Sequence, residues 1–222
     1  MNLSGSICAL ATPFRNADLD LEAFGRLIEY QIAGGTSAVV VAGSTGEGAS
    51  LEADELVRLL EHAVRVVDGR MPVIAGSGLQ STRKTIEQTR LARNAGADLA
   101  LVVVPAYVRP TQEGLFRHFK AIAEAVDIPL ILYNVPGRTV ADLSCDTTLR
   151  LAEIPNIVGI KDATANVGRV TQQLLACGKA FVQLSGEDAT ALGFNAHGGV
   201  GCISVTSNVA PRSSFNAGSE LC

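Results

Sequence analysis

Lys161 closes the apolar run of Ile157-Val158-Gly159-Ile160-Lys161-Asp162-Ala163-Thr164. A buried strand has no structural use for an ammonium group. Taking a lysine out of water disfavours its charged form and lowers its pKa from about 10.4. The neutral amine is a nucleophile that forms a Schiff base with a ketone. The plain alternative is a strand-end lysine whose stem reaches back to water. Its company decides between the two. Tyr133 ends the apolar run Leu130–Tyr133, so a buried ring would carry a hydroxyl able to move protons, or simply pack. Arg138, in Pro136-Gly137-Arg138-Thr139, could hold a carboxylate in bidentate fashion, or stand in solvent. Gly43-Ser44-Thr45-Gly46-Glu47-Gly48 offers hydroxyls and backbone N–H groups to an anion, or is only a turn. Jointly these groups suit one chemistry: an imine-forming amine, a proton carrier and two holders of carboxylates.

Such groups need a scaffold. Eight short apolar runs are continuous rather than alternating: Ile7–Ala11, Ala38–Ala42, Val73–Ala75, Leu99–Val104, Leu130–Tyr133, Ile157–Ile160, Phe181–Leu184 and Val200–Ser204. That is the pattern of strands covered on both faces. Between them lie segments of helical period. Asp20 to Ala33 puts Leu21, Phe24, Leu27, Ile28 and Ile32 on one face, and Ser50 is placed to cap a helix running to about Val67. Further helices are predicted after Ser81 or Thr82 and after Thr111, then at about 146–153, 167–177 and 189–196. Repeated β-α units imply a parallel sheet with right-handed crossovers. Eight units favour a closed (β/α)8 TIM barrel over an open sheet, and no GxGxxG follows the first strand. In that barrel the strand exits form the active face. The exits carry Ser44 and Thr45, Pro105-Ala106-Tyr107, Tyr133 to Arg138, Lys161, Ser185-Gly186-Glu187-Asp188, and Gly201 to Ser204. The domain expectation is one barrel over 1–212 and a divergent tail over 213–222.

Composition removes other classes. The chain has 222 residues, 47% of them hydrophobic and 18% charged, which is a core-rich globular composition. A net charge of −4, dispersed Lys and Arg, and no tryptophan argue against a nucleic-acid partner. No apolar run approaches a membrane-spanning length, and Met1 to Phe14 lacks the form of a signal peptide. Five widely spaced cysteines without CxxC read as reduced thiols, so a cytoplasmic location is expected. No HxH, HExxH or paired acidic motif suggests a metal, and no GxSxG suggests a serine hydrolase. His62 and His118 are expected on outer helix surfaces, and His197 at a helix end.

Taken in order, the motifs GSTGEGASL (43–51), PVIAGSG (72–78), YVRPTQEGLFRHFKAIAE (107–124), LYNVPGRT (132–139), IVGIKDAT (157–164), LSGEDA (184–189) and GVGCISVTSNVAPR (199–212) resemble the 4-hydroxy-tetrahydrodipicolinate synthase family. That family belongs to the pyruvate-dependent class I aldolases, with N-acetylneuraminate lyase as a relative. The resemblance runs to about Arg212. It implies that Lys161 forms the imine with pyruvate and that Tyr133 shuttles protons. It implies that Ser44 links Tyr133 to Tyr107, the latter reaching across a dimer interface. Thr45 resembles the group that binds the pyruvate carboxylate, and Arg138 the one that binds the carboxylate of L-aspartate 4-semialdehyde. Gly186 and Ile203 match positions that line the pyruvate pocket. The implied product is 4-hydroxy-tetrahydrodipicolinate, made without metal or organic cofactor by homodimers or homotetramers.

Arg138 favours the synthase over the sugar-acid lyases, which resemble the chain at the GSTGE loop and the lysine but lack that arginine. Two departures remain. Positions that bind inhibitory lysine in regulated members hold Ala53, Leu56, Gln80, Lys84 and Ala106, so weak or absent inhibition is expected. The final SSFNAGSELC does not resemble the family's continuation into an eighth barrel helix and a C-terminal helical region. A missing or stunted eighth helix, and with it an inactive short remnant, is the competing expectation.

Overall fold

The computed structural model describes residues 3–212. Eight strands close into a barrel, each parallel to both neighbours. They are β1 (Gly5–Ala9), β2 (Ala38–Val41), β3 (Val73–Ser77), β4 (Leu99–Val103), β5 (Leu130–Asn134), β6 (Ile157–Asp162), β7 (Val182–Ser185) and β8 (Gly201–Ser204). The helices between them are α1 (Leu21–Ala33), α2 (Ala53–Val67), α3 (Thr82–Asn94), α4 (Gln112–Ala125), α5 (Cys145–Ala152), α6 (Gly168–Cys177) and α7 (Ala191–Ala196). This is the expected (β/α)8 architecture. A 3-10 turn at Thr206–Asn208 follows β8. The eighth helix expected to be missing or stunted concerns 213–222, outside the described residues. No described helix is long and apolar enough to cross a membrane.

Local rules explain the helix starts. Asp20 caps α1 by accepting from the Ala23 N–H, and Ser81 and Thr111 cap α3 and α4 in the same way. The start of α2 differs from expectation. The Ser50 N–H is spent on the Glu47 carbonyl in a turn, and Glu52 with Glu55 forms the capping box. Leu56, Leu59, Leu60, Ala63 and Val67 then fall on one buried face of α2. Each large side chain so buried contributes about 1.5–3 kcal/mol. A small hairpin, Phe14–Arg15 with Asp18–Leu19, was not foreseen. Asn16 and Ala17 turn it at φ 52° and 65°, and no glycine announces the turn.

The core divides in two. One cluster fills the space between sheet and helices, with Val39, Leu59, Phe119 and Ile160 among its members. The other fills the barrel, from Ile7, Ile74, Leu99 and Ile131 up to Tyr133, Leu184 and Ile203. The period-2 alternation of strands makes that division. β6 runs two residues further than the apolar run suggested, so Lys161 lies within a strand. Its place is fixed by register, between Tyr133 of β5 and Leu184 of β7.

His118 is corrected from surface to core. It is 5% exposed, meets Phe119 edge-on, and shares a 2.9 Å hydrogen bond through Nδ1 with Thr82 Oγ1. Burial pushes its pKa down to about 4. His197 does sit at the C-cap of α7.

Candidate active site

Lys161 is 5% exposed. Its ammonium group meets an aromatic face: Nζ stands 4.3 Å from the centroid of the Tyr133 ring. Among the described residues no carboxylate lies within ion-pair distance of it. Desolvation therefore dominates and lowers its pKa from 10.5 to about 8. Electrostatic interaction with Cys202 and Asp188 opposes that fall, and the Arg138 guanidinium adds to it. An amine in this state is partly neutral near physiological pH, as a nucleophile must be.

Tyr133 sits beside it, 6% exposed. Burial raises its pKa, while a hydrogen bond with the Ser44 side chain and the positive Arg138 hold it down. A phenol kept protonated beside an amine can give and take a proton. A cavity of about 60 Å3 adjoins the pair, with Ser44, Ser77, Gln88 and Tyr133 in its wall. Lys161 is not in that wall, so the cavity flanks the reacting nitrogen rather than containing it.

The β2 exit loop is held by close packing. The Ala42 carbonyl would lie 1.8 Å from a Cβ at Gly48 and 2.2 Å from one at Gly76. Only glycine admits that approach. Within the loop the Glu47, Gly48 and Ser50 N–H groups bond to Ser44, Gly43 and Glu47 carbonyls. Among the described residues, the Ser44 and Thr45 N–H groups carry no such bond. α2 begins only at Ala53, so its N-terminus takes no part in an anion cradle. Any anion here relies on the loop's own donors.

Arg138 lies on a one-turn helix, Pro136–Thr139, directly after β5. It is exposed and forms no ion pair among the described residues, yet its charge reaches both Lys161 and Tyr133. Gly186, at the β7 exit, is pressed on the lysine. A Cβ there would stand 2.8 Å from Ala163 Cβ and 3.0 Å from Lys161 Cε. Ile203, 1% exposed, belongs to the same barrel-interior cluster as Tyr133 and Leu184.

The fold thus gathers Lys161, Tyr133, Ser44 and Gly186, with Ile203 in the barrel-interior cluster that includes Tyr133 and Arg138 on the β5 exit. Thr45 adjoins through the loop. Tyr107 is not brought in: its ring is 88% exposed, at φ 71°. Asp188 was not singled out from the sequence, although its charge acts on Lys161. A strand-exit carboxylate two residues past a glycine was the available signal. Among the described residues no group of three or more His, Cys, Asp or Glu side chains is placed to hold a metal.

Known proteins were compared with this arrangement. The Dihydrodipicolinate synthetase family model matches residues 2–217. The 4-hydroxy-tetrahydrodipicolinate synthase of Parvibaculum lavamentivorans is 56% identical over 207 residues, covering 93% of this chain and 71% of that protein. The crystal structure of dihydrodipicolinate synthase from Aquifex aeolicus superimposes with a TM-score of 0.94 at 45% identity, over 96% of this chain and 73% of that one. The chloride-inhibited enzyme of Acinetobacter baumannii, complexed with pyruvate, gives 0.94 at 48% identity, over 97% and 74%. The relatives from Cereibacter sphaeroides, at 53% identity, and Ruegeria pomeroyi, at 54%, carry the same synthase name. With a buried, unpaired lysine beside a tyrosine in a closed barrel, and agreement over nearly its whole length, the chain belongs to the dihydrodipicolinate synthetase family.

Proposed function

We propose that the chain condenses pyruvate with L-aspartate 4-semialdehyde through an imine on Lys161, giving 4-hydroxy-tetrahydrodipicolinate for lysine and diaminopimelate synthesis. The observation that carries this reading is Lys161 itself: buried, without a carboxylate in contact, and lowered to about 8.

The neutral Nζ attacks the pyruvate ketone carbon. Tyr133 delivers the proton with which the carbinol oxygen leaves as water, and the imine forms. The free N–H groups of Ser44 and Thr45 suit the pyruvate carboxylate. Loss of a methyl proton gives the enamine, whose carbon attacks the semialdehyde aldehyde. Arg138, with no partner of its own among the described residues, holds the second carboxylate. Attack by the substrate amine on the imine carbon closes the ring and frees Lys161. The protonated imine is the electron sink, so these steps call on no metal or organic cofactor. Gly186 leaves room for the lysine stem, and Ile203 supplies an apolar floor.

Tyr107 acts in a second copy of the chain. Its exposure in one copy fits a ring that completes a neighbour's site in a homodimer or homotetramer. The four cysteines among the described residues are free thiols, which fits a cytoplasmic enzyme. Lys84 and the apolar Leu56 in the groove between α2 and α3 fit weak lysine inhibition.

The test is borohydride reduction of the folded protein with pyruvate. A mass increment on the Lys161 peptide is expected. No adduct on soluble, folded protein sinks the reading. Arg138→Ala separates the two carboxylates: the adduct persists while KM for the semialdehyde rises at least tenfold. If it leaves that KM unchanged, a sugar-acid lyase is the better account.

A further inference from the structure

Asp188 lies at the β7 exit, two residues past Gly186, and its carboxylate crosses to the exit of β8. Its Oδ2 accepts the Val205 N–H at 3.1 Å, the Thr206 N–H at 3.1 Å and the Thr206 hydroxyl at 2.9 Å. The Cys202 thiol donates to Oδ1 at 3.6 Å. The seam it bridges is short, with only Leu184–Gly201 and Ser185–Cys202 in register, whereas β1–β8 and β6–β7 each have four such pairs.

The charges around Lys161 can be sorted element by element. β5 contributes the protonated Tyr133, and its exit the cationic Arg138. The β7 exit contributes Glu187, which acts on Tyr133, and Asp188; β8 contributes Cys202. Burial pushes the Cys202 thiol up to about 12, so it is uncharged where Lys161 titrates, near 8. Burial also works against the Asp188 carboxylate, but hydrogen bonds from Ser204, Thr206 and Val205 outweigh it and hold the carboxyl below its usual range. Of the two groups that oppose the lysine's loss of charge, Asp188 alone is an anion at working pH.

We propose that Asp188 is the positioning residue of the lysine site: it ties the β7 exit to the β8 exit, so that Gly186 stays seated on the Lys161 stem, and it supplies the fixed negative charge acting on the lysine and its protonated imine. This rests on the imine reading above. The same carboxylate does both tasks because its hydrogen bonds fix where its charge sits.

Asp188→Asn separates charge from clamp. The amide oxygen can take the three donors of Oδ2, and the amide NH2 then faces the Cys202 sulfur. The measurement is the pH dependence of borohydride-trapped pyruvate on Lys161, with turnover and thermal midpoint alongside. In Asp188→Asn the acid limb of trapping moves to lower pH by about half a unit or more, because the amine gives up its proton more easily. Turnover at the optimum falls about tenfold as the cationic imine loses its counter-charge. The thermal midpoint stays within about 2 °C of the parent. Asp188→Glu, which keeps the charge, retains the parental acid limb. A parent that traps pyruvate, with an Asp188→Asn profile and turnover unchanged, overturns this inference alone. A parent that forms no adduct sinks the imine reading, and this one with it.

Discussion

Lys161 and Asp162 are adjacent, equally buried at 5% and 4% exposure, and treated in opposite ways. Lys161 points into the barrel and meets an aromatic ring. Asp162, on the other face of the strand, is hydrogen-bonded through one oxygen and ion-paired through the other. Its Oδ1 accepts the Thr164 N–H at 2.8 Å and the Thr164 hydroxyl at 2.5 Å, and Arg169 Nε stands 3.4 Å from Oδ2. That approach is an ion pair without hydrogen-bond alignment, since neither atom makes a hydrogen bond of its own. Arg169 continues to Asp142 at 3.0 Å, and Asn134 donates to the same carboxylate at 2.7 Å. The difference teaches how to read a buried charge. One that has its counter-charge is structural, and removing the partner is what destabilises the fold. One left unpaired is a standing cost to the fold, and its chemistry is what that cost supports.

The largest expected effect breaks the contrast from the lysine side. Lys161→Met abolishes the pyruvate adduct and yet raises the stability of the folded chain. The folded pKa, about 8, lies below the unfolded value of 10.5. Burying the ammonium therefore costs stability in full below about pH 8, and the cost fades as pH rises toward 10.5. The gain is about 3 kcal/mol at pH 7 and nil above the unfolded pKa. Denaturant melts at both pH values check it; a destabilised Lys161→Met chain at pH 7 contradicts the argument.

Next comes the paired side. Arg169→Ala leaves Asp162 buried without its cation and costs about 3 kcal/mol. Trapping of pyruvate on Lys161 in the surviving folded fraction stays within about threefold. A stable variant that traps nothing would show the network to be functional rather than structural.

A smaller effect sharpens the lysine's half. Gly186→Ala puts a methyl group against the Lys161 stem and moves Nζ. Trapping slows about tenfold, about 1.4 kcal/mol, with a thermal midpoint changed by only a few degrees. Parental trapping kinetics would show that the stem has room to yield.

The smallest effect concerns a buried group with no chemical role. His118 has a folded pKa of about 4, below its unfolded value of 6.5. The unfolded chain binds the proton first, so stability is full above about pH 6.5 and declines as pH falls toward 4. His62, also lowered by burial, adds in the same direction. His118→Leu reduces the loss between pH 7.5 and pH 6 by about 0.8 kcal/mol, read from urea melts. An unchanged slope would assign it to His62 and the carboxylates.

Much of the fold was legible because each helix and strand carries its own period. The α2 face of Leu56, Leu59, Leu60, Ala63 and Val67 and the eight continuous apolar runs are local patterns, and the barrel follows from their number. Strand ends were less legible. β6 extends through Lys161 and Asp162 because pairing with β5 and β7 continues there, and hydropathy does not record a partner strand. The α2 start was misplaced because Ser50, a good cap by type, still lies in the turn, and the helix begins two residues later at the Glu52–Glu55 capping box. His118 was misplaced because a helix's polar residue can still face a neighbouring helix, here through Thr82.

The sequence by itself determined the reactive types and their order: a lysine, a tyrosine and an arginine at the ends of apolar runs, and a hydroxyl-bearing glycine loop. Types and order are properties of the chain. Only the tertiary structure decided that Lys161 faces inward against Tyr133 and has no carboxylate beside it, while Asp162, one residue on, faces outward and is paired. Which face a side chain takes depends on register across neighbouring strands. Whether a buried charge finds a partner depends on residues such as Arg169, brought close only when the barrel closes.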